Sequence, residues 1–398
     1  MKRGAILVVL ILALSAGCSQ TREQPLEQPT QVTDTPEGTV VLRSVLGTEY
    51  GEVATSVIEL DDGGFLVAGY DYGTSDDIDE WDALVMRISP EGEQVWRRST
   101  DRSGSEYAWA VREAQDGRFV VVGTQENDNG DTDGFMQCID ADGNEIWLRT
   151  YGGDGNEVLW TAEPTPDGGF ILVGQTSSEG AGGLDFYVVR TDSEGQELWS
   201  RAYGTSSTDR AFGIGLCPDG GALIAGFTGD NSAAMNFFFV RINEDGIELW
   251  RRTMAGDRFD VAHNVLSLGD DGFVISGYTS SFSPYDHDGF LMRLTADGRM
   301  LWMKFYGDSK DDRVLHVAQL DDGGFALVGY TDWDVVVWRV DSNGDLMWVH
   351  RDEGNRTDLG RDIIVAQDGS IVVVGGNRSE NPPRDDIILL ILSDQEAP

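Results

Sequence analysis

The chain has 398 residues, with 69 acidic against 29 basic side chains and a net charge of −40. A surface this acidic repels nucleic acid and anionic headgroups, which excludes both as partners of a folded body. Hydrophobic residues make up 40%, enough for a core, and 50 glycines beside 11 prolines indicate many tight turns rather than a low-complexity tract.

The first 18 residues, MKRGAILVVLILALSAGC, open with Lys2 and Arg3, continue with an apolar run from Ala5 to Leu14, and reach small residues before Cys18. That pattern is a secretory signal, too short for a spanning helix. LSAGC resembles the lipobox of bacterial-type lipoproteins, in which the cysteine becomes the lipidated first residue, although Ser15 stands where an aliphatic residue is commoner. The resemblance implies lipidation at Cys18 and an extracytoplasmic protein held to a bacterial-type membrane by its lipid alone. Residues 19–38 are Gln/Pro/Thr-rich and aperiodic, which suits a flexible tether. The other cysteines, Cys138 and Cys217, fall at non-equivalent places in the repeats described next and read as buried thiols.

From residue 39 to the end, one unit recurs. DDGGFLVAGY (61–70) returns as DDGGFALVGY (321–330), and five further copies share the glycine column Gly69, Gly123, Gly174, Gly226, Gly277, Gly329 and Gly375, spaced 46 to 54 residues apart. A fixed period near fifty signals a propeller or solenoid. Each unit reads as four short strands, a to d; in the sixth these are VLHVAQL, FALVGY, VVVWRV and DLMWVH, with DDGG and DSNG as hairpin turns. A tryptophan marks strand d in six units: Trp96, Trp147, Trp199, Trp250, Trp302 and Trp348. An acidic residue follows ten places later (Glu106, Glu157, Asp209, Asp260, Asp312, Asp358), and an Asp or Asn lies fourteen before each Trp. Strand c carries Arg87, Arg190, Arg241, Arg293 and Arg339 in one column. These repeated columns are structural: each Trp buries about 150–250 Å², roughly 4–6 kcal/mol gross at about 25 cal/mol/Å².

The seventh unit ends without strand d, whereas TVVLRSV (39–45) precedes the first unit and puts Leu42 ten places before Glu52, where the others have Trp. Complementary halves at the two ends predict a closed ring. The expected fold is all-β, a seven-bladed β-propeller of four-stranded antiparallel blades over residues 39–398, with the N-terminal strand completing the last blade. The segments VVRTDSEGQELW (188–199) and WRVDSNGDLMW (338–348) resemble the quinoprotein-like, PQQ-type propeller repeat, whose tryptophan docks between blades. Quinoprotein dehydrogenases of that superfamily have eight blades and vicinal cysteines at the quinone, so the resemblance implies architecture and no quinone cofactor here. A lipoprotein branch of the superfamily scaffolds outer-membrane protein assembly.

In such a meander the a–b and c–d turns share one face and the b–c and d–a connections the other. The second face is expected to carry long, dissimilar loops at 71–81, 125–133, 176–184, 228–235, 279–287 and 377–385, and variable loops on a rigid scaffold are where function concentrates. Aromatics outside the repeat gather there or beside the inner strands: Trp81, Trp109, Trp160, Phe212, Tyr285 and Trp333. His263 and Arg361 occupy the same column as Trp109 and Trp160, near the expected inner funnel. In NGDTDG (129–134), Asn129, Asp131 and Asp133 sit at the first alternate positions of an EF-hand-like calcium loop, although FMQCI after it reads as strand; structural calcium is the one cofactor admitted. The four histidines, His263, His287, His316 and His350, form no Ser/His/Asp order, HExxH or phosphate loop. The chain therefore reads as a monomeric binding or scaffolding module for a protein or glycan partner on the long-loop face. The alternative is a propeller hydrolase or lyase acting on extracellular polysaccharide or peptide. Three or more unrepeated polar residues converging at the funnel mouth on the long-loop face would favour that alternative.

Overall fold

The computed structural model describes residues 38–48, 51–72, 80–100, 102, 104–127, 129–230, 234–283, 287–308, 311–352, 358–380 and 383–396. Cys18, the expected signal and tether, and Tyr285 lie outside them. The strands form seven four-stranded antiparallel sheets, the blades of a seven-bladed β-propeller. In the first six blades the strands pair in chain order, as in Glu52–Glu59, Phe65–Tyr72, Trp81–Ile88 and Gln94–Ser99. In the seventh, Asp358–Val365, Ile371–Glu380 and Pro383–Glu396 are followed by Gly38–Leu46, which pairs antiparallel with Pro383–Glu396 and sets Leu42 opposite Ile391.

The core is a series of seams between blades. Ile171, Val173, Phe186 and Val188 of the third blade, for example, pack with Ile214, Ile224 and Phe238 of the fourth. Along each seam the strand-d tryptophan lies on a glycine in the c–d turn of the next blade: Trp96 on Gly143, Trp147 on Gly195, Trp199 on Gly246, Trp250 on Gly298 and Trp302 on Gly344. These glycines have φ of 71–80°, so one position meets two demands, a left-handed turn and no Cβ under the indole. Trp348 lies on Gly38, and Leu42 lies on Gly92 as its replacement in the last seam. Two places after the tryptophan, Arg98, Arg149, Arg201 and Arg252 cover the indoles at 4.7–5.7 Å. The hydroxyls of Tyr151 and Tyr306 donate across the seam to Gly195 O (2.7 Å) and Gly344 O (2.8 Å). The strand-c arginines instead work within a blade: Arg87, Arg190, Arg241 and Arg339 reach the a–b turn carboxylates of Asp62, Asp167, Asp219 and Asp322 at 2.6–2.7 Å.

Every inner strand has a β-bulge at the same position. The pairing skips Thr55, Trp109, Trp160, Phe212, His263, Leu315 and Arg361 in the seven blades. Opposite each bulge stands the repeated glycine of strand b, where a Cβ would collide with the carbonyl oxygen of strand a two residues before the bulge, Val158 O for Gly174 and Arg210 O for Gly226. That close approach explains why this glycine column never varies.

Two expected loops are largely strand: at 228–235, Thr228 pairs with Asn236, Gly229 with Met235 and Asp230 with Ala234. Residues 377–385 are almost wholly paired, Asn377 with Asp386 through Glu380 with Pro383. In the sixth blade, where the sequence already leaves only a short connection, strands Phe325–Thr331 and Asp334–Val340 are joined by Asp332 and Trp333 alone, with φ of 50° and 74°. Loss of residues 38–46 would strip a partner from Pro383–Glu396 and remove Leu42 from Gly92. A chain lacking them is expected to melt at lower temperature and to aggregate through the bared edge; an unchanged melting temperature would contradict that role.

Candidate functional site

The bulge determines what lines the central channel. Without it, inner-strand side chains would alternate strictly; with it, two consecutive residues face inward. In the fifth blade Ala262 (0% exposed) and Val265 (4%) are core, and the half-buried His263 and Asn264 between them both face the channel. The same pairing gives Trp160 with Thr161, Leu315 with His316, and Arg361 with Asp362.

Toward the long-loop face the bulge residues join neighbouring tyrosines in an aromatic arc. Trp81 lies against Tyr72 (3.7 Å between ring centroids) and Tyr70 (5.1 Å), and contacts Tyr107 at 6.1 Å. Tyr107 stacks on Trp109 at 5.6 Å, Trp109 meets Trp160 at 4.7 Å, Trp160 meets Phe212 at 5.7 Å, and Phe212 stacks on His263 at 4.9 Å. His263 meets Tyr278 at 5.6 Å, and Arg313 lies over both Tyr278 (4.3 Å) and Tyr330 (5.5 Å). Trp333, 48% exposed, stacks on Tyr330 at 5.3 Å. The structure thus brings Trp81, Trp109, Trp160, Phe212 and His263 into one contiguous surface, with Trp333 at its far end and Arg361 in the remaining blade. Most of these rings are half-buried, with edges or faces left open to the channel.

Cations occupy the other side. Arg313, held by Asp311 at 3.0 Å, and Arg361 both act on His263, whose imidazole is pushed down to about 3, first by burial and then by these two charges. His263 is therefore neutral at physiological pH.

Deeper in the channel a polar floor links the blades. His316 lies between Asn264 (Nε2 to Nδ2, 2.8 Å) and Asp362 (Nδ1 to Oδ1, 3.1 Å). The Asp362 carboxylate accepts the backbone N–H groups of Val57 (2.9 Å) and Ile363 (2.8 Å). Arg112 donates to Ser56 (3.4 Å) and Thr161 (2.9 Å) and lies 3.6 Å from Glu163, whose pKa burial raises. Inspection of the sequence singled out neither this layer nor Tyr107, Arg210 and Arg313. The available signal was the phase break between the buried positions, such as Ala262 and Val265, three apart instead of two.

The loop at 129–134 is built around Asn127, whose side-chain oxygen accepts the N–H of Asn129 (3.0 Å) and Asp131 (3.1 Å) and whose amide donates to Asp133 (3.1 Å). Among the described residues no three His, Cys, Asp or Glu side chains are grouped to hold a metal ion.

No protein-family profile matches the chain, and no curated protein does. Solved structures share its fold. A catalytically inactive virginiamycin B lyase from Staphylococcus aureus, with quinupristin, is 13% identical with a TM-score of 0.55, over 88% of this chain and 98% of that one. The Pan2 WD40 domain of Neurospora crassa is 9% identical with a TM-score of 0.58, over 92% of this chain and 99% of that one. Puromycin hydrolase is 16% identical with a TM-score of 0.54; 82% of this chain matches 50% of that one, so the chain spans half its length. At such identities the likeness concerns the propeller architecture alone.

Beneath the loop face, at the seam between the fifth and sixth blades, burial pushes Asp288 up to about 7 and Asp312 up to about 6. Both values lie above the unfolded value near 3.8, so the folded state binds more protons between about pH 4 and 7. This contribution to stability is complete below that window and is lost as the pH rises through it. The melting temperature is expected to be higher at pH 5 than at pH 8 at fixed ionic strength. Asp288→Asn should raise it at pH 8 and flatten the profile, whereas Asp245→Asn, which removes an exposed charge, should not flatten it; equal effects would refute the assignment.

Proposed function

We propose that the chain is an extracytoplasmic, lipid-anchored binding propeller of the quinoprotein-like repeat type, which takes a glycan at the channel mouth on its long-loop face. The observation that carries this reading is the unbroken aromatic arc from Trp81 to His263. Its rings sit on a rigid ring of strands, so little side-chain entropy is lost on stacking against the apolar face of a sugar, and the hydroxyl-bonding groups of the floor lie behind them. Among the described residues no comparable run of stacked aromatic rings lies on the tight-turn face. The anchor rests on the lipobox-like sequence at Cys18, and release from membranes by Cys18→Ser tests it.

A second reading, a hydrolase or lyase acting on extracellular polysaccharide or peptide, draws on the convergence of His316, Asp362, Asn264, Glu163 and Arg112 in the channel. Binding is preferred because Asp362 already accepts two backbone N–H groups and holds blades together. A Glu163-dependent release of product from a bound glycan would reverse that preference.

The test is a glycan-binding screen on wild type, Trp109→Ala/Trp160→Ala and the opposite-face variant Asp245→Ala. Truncating a true anchor costs at least about 2 kcal/mol, so the tryptophan variant should bind about thirtyfold more weakly with its fold intact, and Asp245→Ala should bind as wild type. Loss in Asp245→Ala with retention in the tryptophan variant would move the site to the other face. Capture of a protein partner with no glycan bound would replace the ligand class.

A further inference from the structure

In a chain with 69 acidic and 29 basic residues, a guanidinium rarely lacks a carboxylate. Most described arginines have one within reach or cover a strand-d tryptophan. Arg361 and Arg210 differ. Both project from inner strands toward the channel, Arg361 at the bulge of the seventh blade and Arg210 two residues before the bulge of the fourth. Each has a buried Nε with no hydrogen-bond acceptor, and among the described residues neither has a carboxylate partner. Arg361 holds the bulge position of its inner strand, and its charge acts on Tyr70, His263 and Tyr330 of the first, fifth and sixth blades.

A half-buried guanidinium without an anion is costly, and its planar fork matches a carboxylate bidentately. Here its charge acts on His263, the end of the stacked run that continues through Phe212 to Trp160. An anionic group and a ring face are thus demanded of the same ligand. The net charge of −40 sets a further limit: an extended polyanion would lay many charges along an acidic surface and be repelled. The linked groups Asp362 and His316 lie one step further along the inner strands, next to the bulge residues, and Arg112 donates to Thr161 at the same place in the third blade.

Building on the glycan reading, we propose that the channel mouth selects the terminus of an oligosaccharide bearing a single hexuronate. The carboxylate is taken by the unpaired guanidinium of Arg361, with Arg210 as the second cation, and the sugar ring lies on Trp160 and Phe212. The ligand class is therefore an acid-ended, otherwise neutral glycan, and polyuronates bind no better than the short acid-ended probe.

Isothermal titration at 0.3 M NaCl tests this with an aldotriouronic acid carrying one terminal glucuronate and with its carboxyl-reduced, neutral counterpart. Wild type is expected to bind the acidic trisaccharide at least tenfold more tightly. Arg361→Gln, checked for folding by near-ultraviolet circular dichroism, should cut that preference to twofold or less without changing affinity for the neutral sugar, and Trp160→Ala should weaken both. Should Arg361→Gln not fold, Arg361→Lys replaces it, with a reduced but measurable preference expected from a charge without the fork. Equal wild-type affinity for the two sugars, lost in Trp160→Ala, would overturn the acidic specificity and leave the glycan reading standing. Binding of neither sugar would overturn both.

Discussion

In each blade a carbonyl oxygen of the inner strand lies where a Cβ of the second strand would stand, and that second-strand position is glycine in all seven blades. The bulge beside it depends on this approach. Because the bulge adds one residue to the inner strand, the core side chains on either side of it are three apart, and two consecutive side chains turn to the channel. A fold that would otherwise offer one inward side chain per two residues therefore offers a dense wall, Trp160 beside Thr161, His263 beside Asn264 and Arg361 beside Asp362. The glycine fixes geometry without fixing chemistry, so the inward residues differ from blade to blade on an unchanging backbone.

A second glycine column performs the complementary task at the outer edge. The left-handed turn glycines, Gly143 to Gly344, accept the indole of the preceding blade, and in four of these five seams the arginine two places after the tryptophan covers that indole. The seams therefore use aromatic and cationic side chains in bulk, yet nearly all are consumed in the scaffold. What distinguishes Trp109, Trp160, Arg210 and Arg361 is that they stand on the inner strands, away from the turn glycines that the strand-d tryptophans cover.

The architecture was legible because its constraints repeat. Six tryptophans in register and Leu42 in the seventh place lead to seven blades and to the place of the N-terminal strand beside Pro383–Glu396. The channel was legible in half. Trp109, Trp160, His263 and Arg361 stood out because they share a column and Phe212 as an aromatic outside the repeat, whereas Asn264, His316 and Asp362 did not, since a strictly alternating strand would turn them into the core. Loop length misled at 228–235 and 377–385, where strand pairing continues through polar residues that read as turns, and the left-handed conformation of Trp333 in its two-residue turn was not foreseen. A left-handed conformation outside glycine costs about 1–2 kcal/mol, and nothing in its sequence neighbourhood announces it.

The bulge can be tested by side-chain direction. In a chain freed of its three native cysteines, Asn264→Cys and Val265→Cys are exposed to a small methanethiosulfonate reagent and labelling rates are compared. The bulged strand predicts that the thiol at 264 reacts through the channel and that the thiol at 265, a core position 4% exposed, is protected. Rapid labelling at 265 with protection at 264 would mean strict alternation, and the account of how the channel wall is built would be wrong.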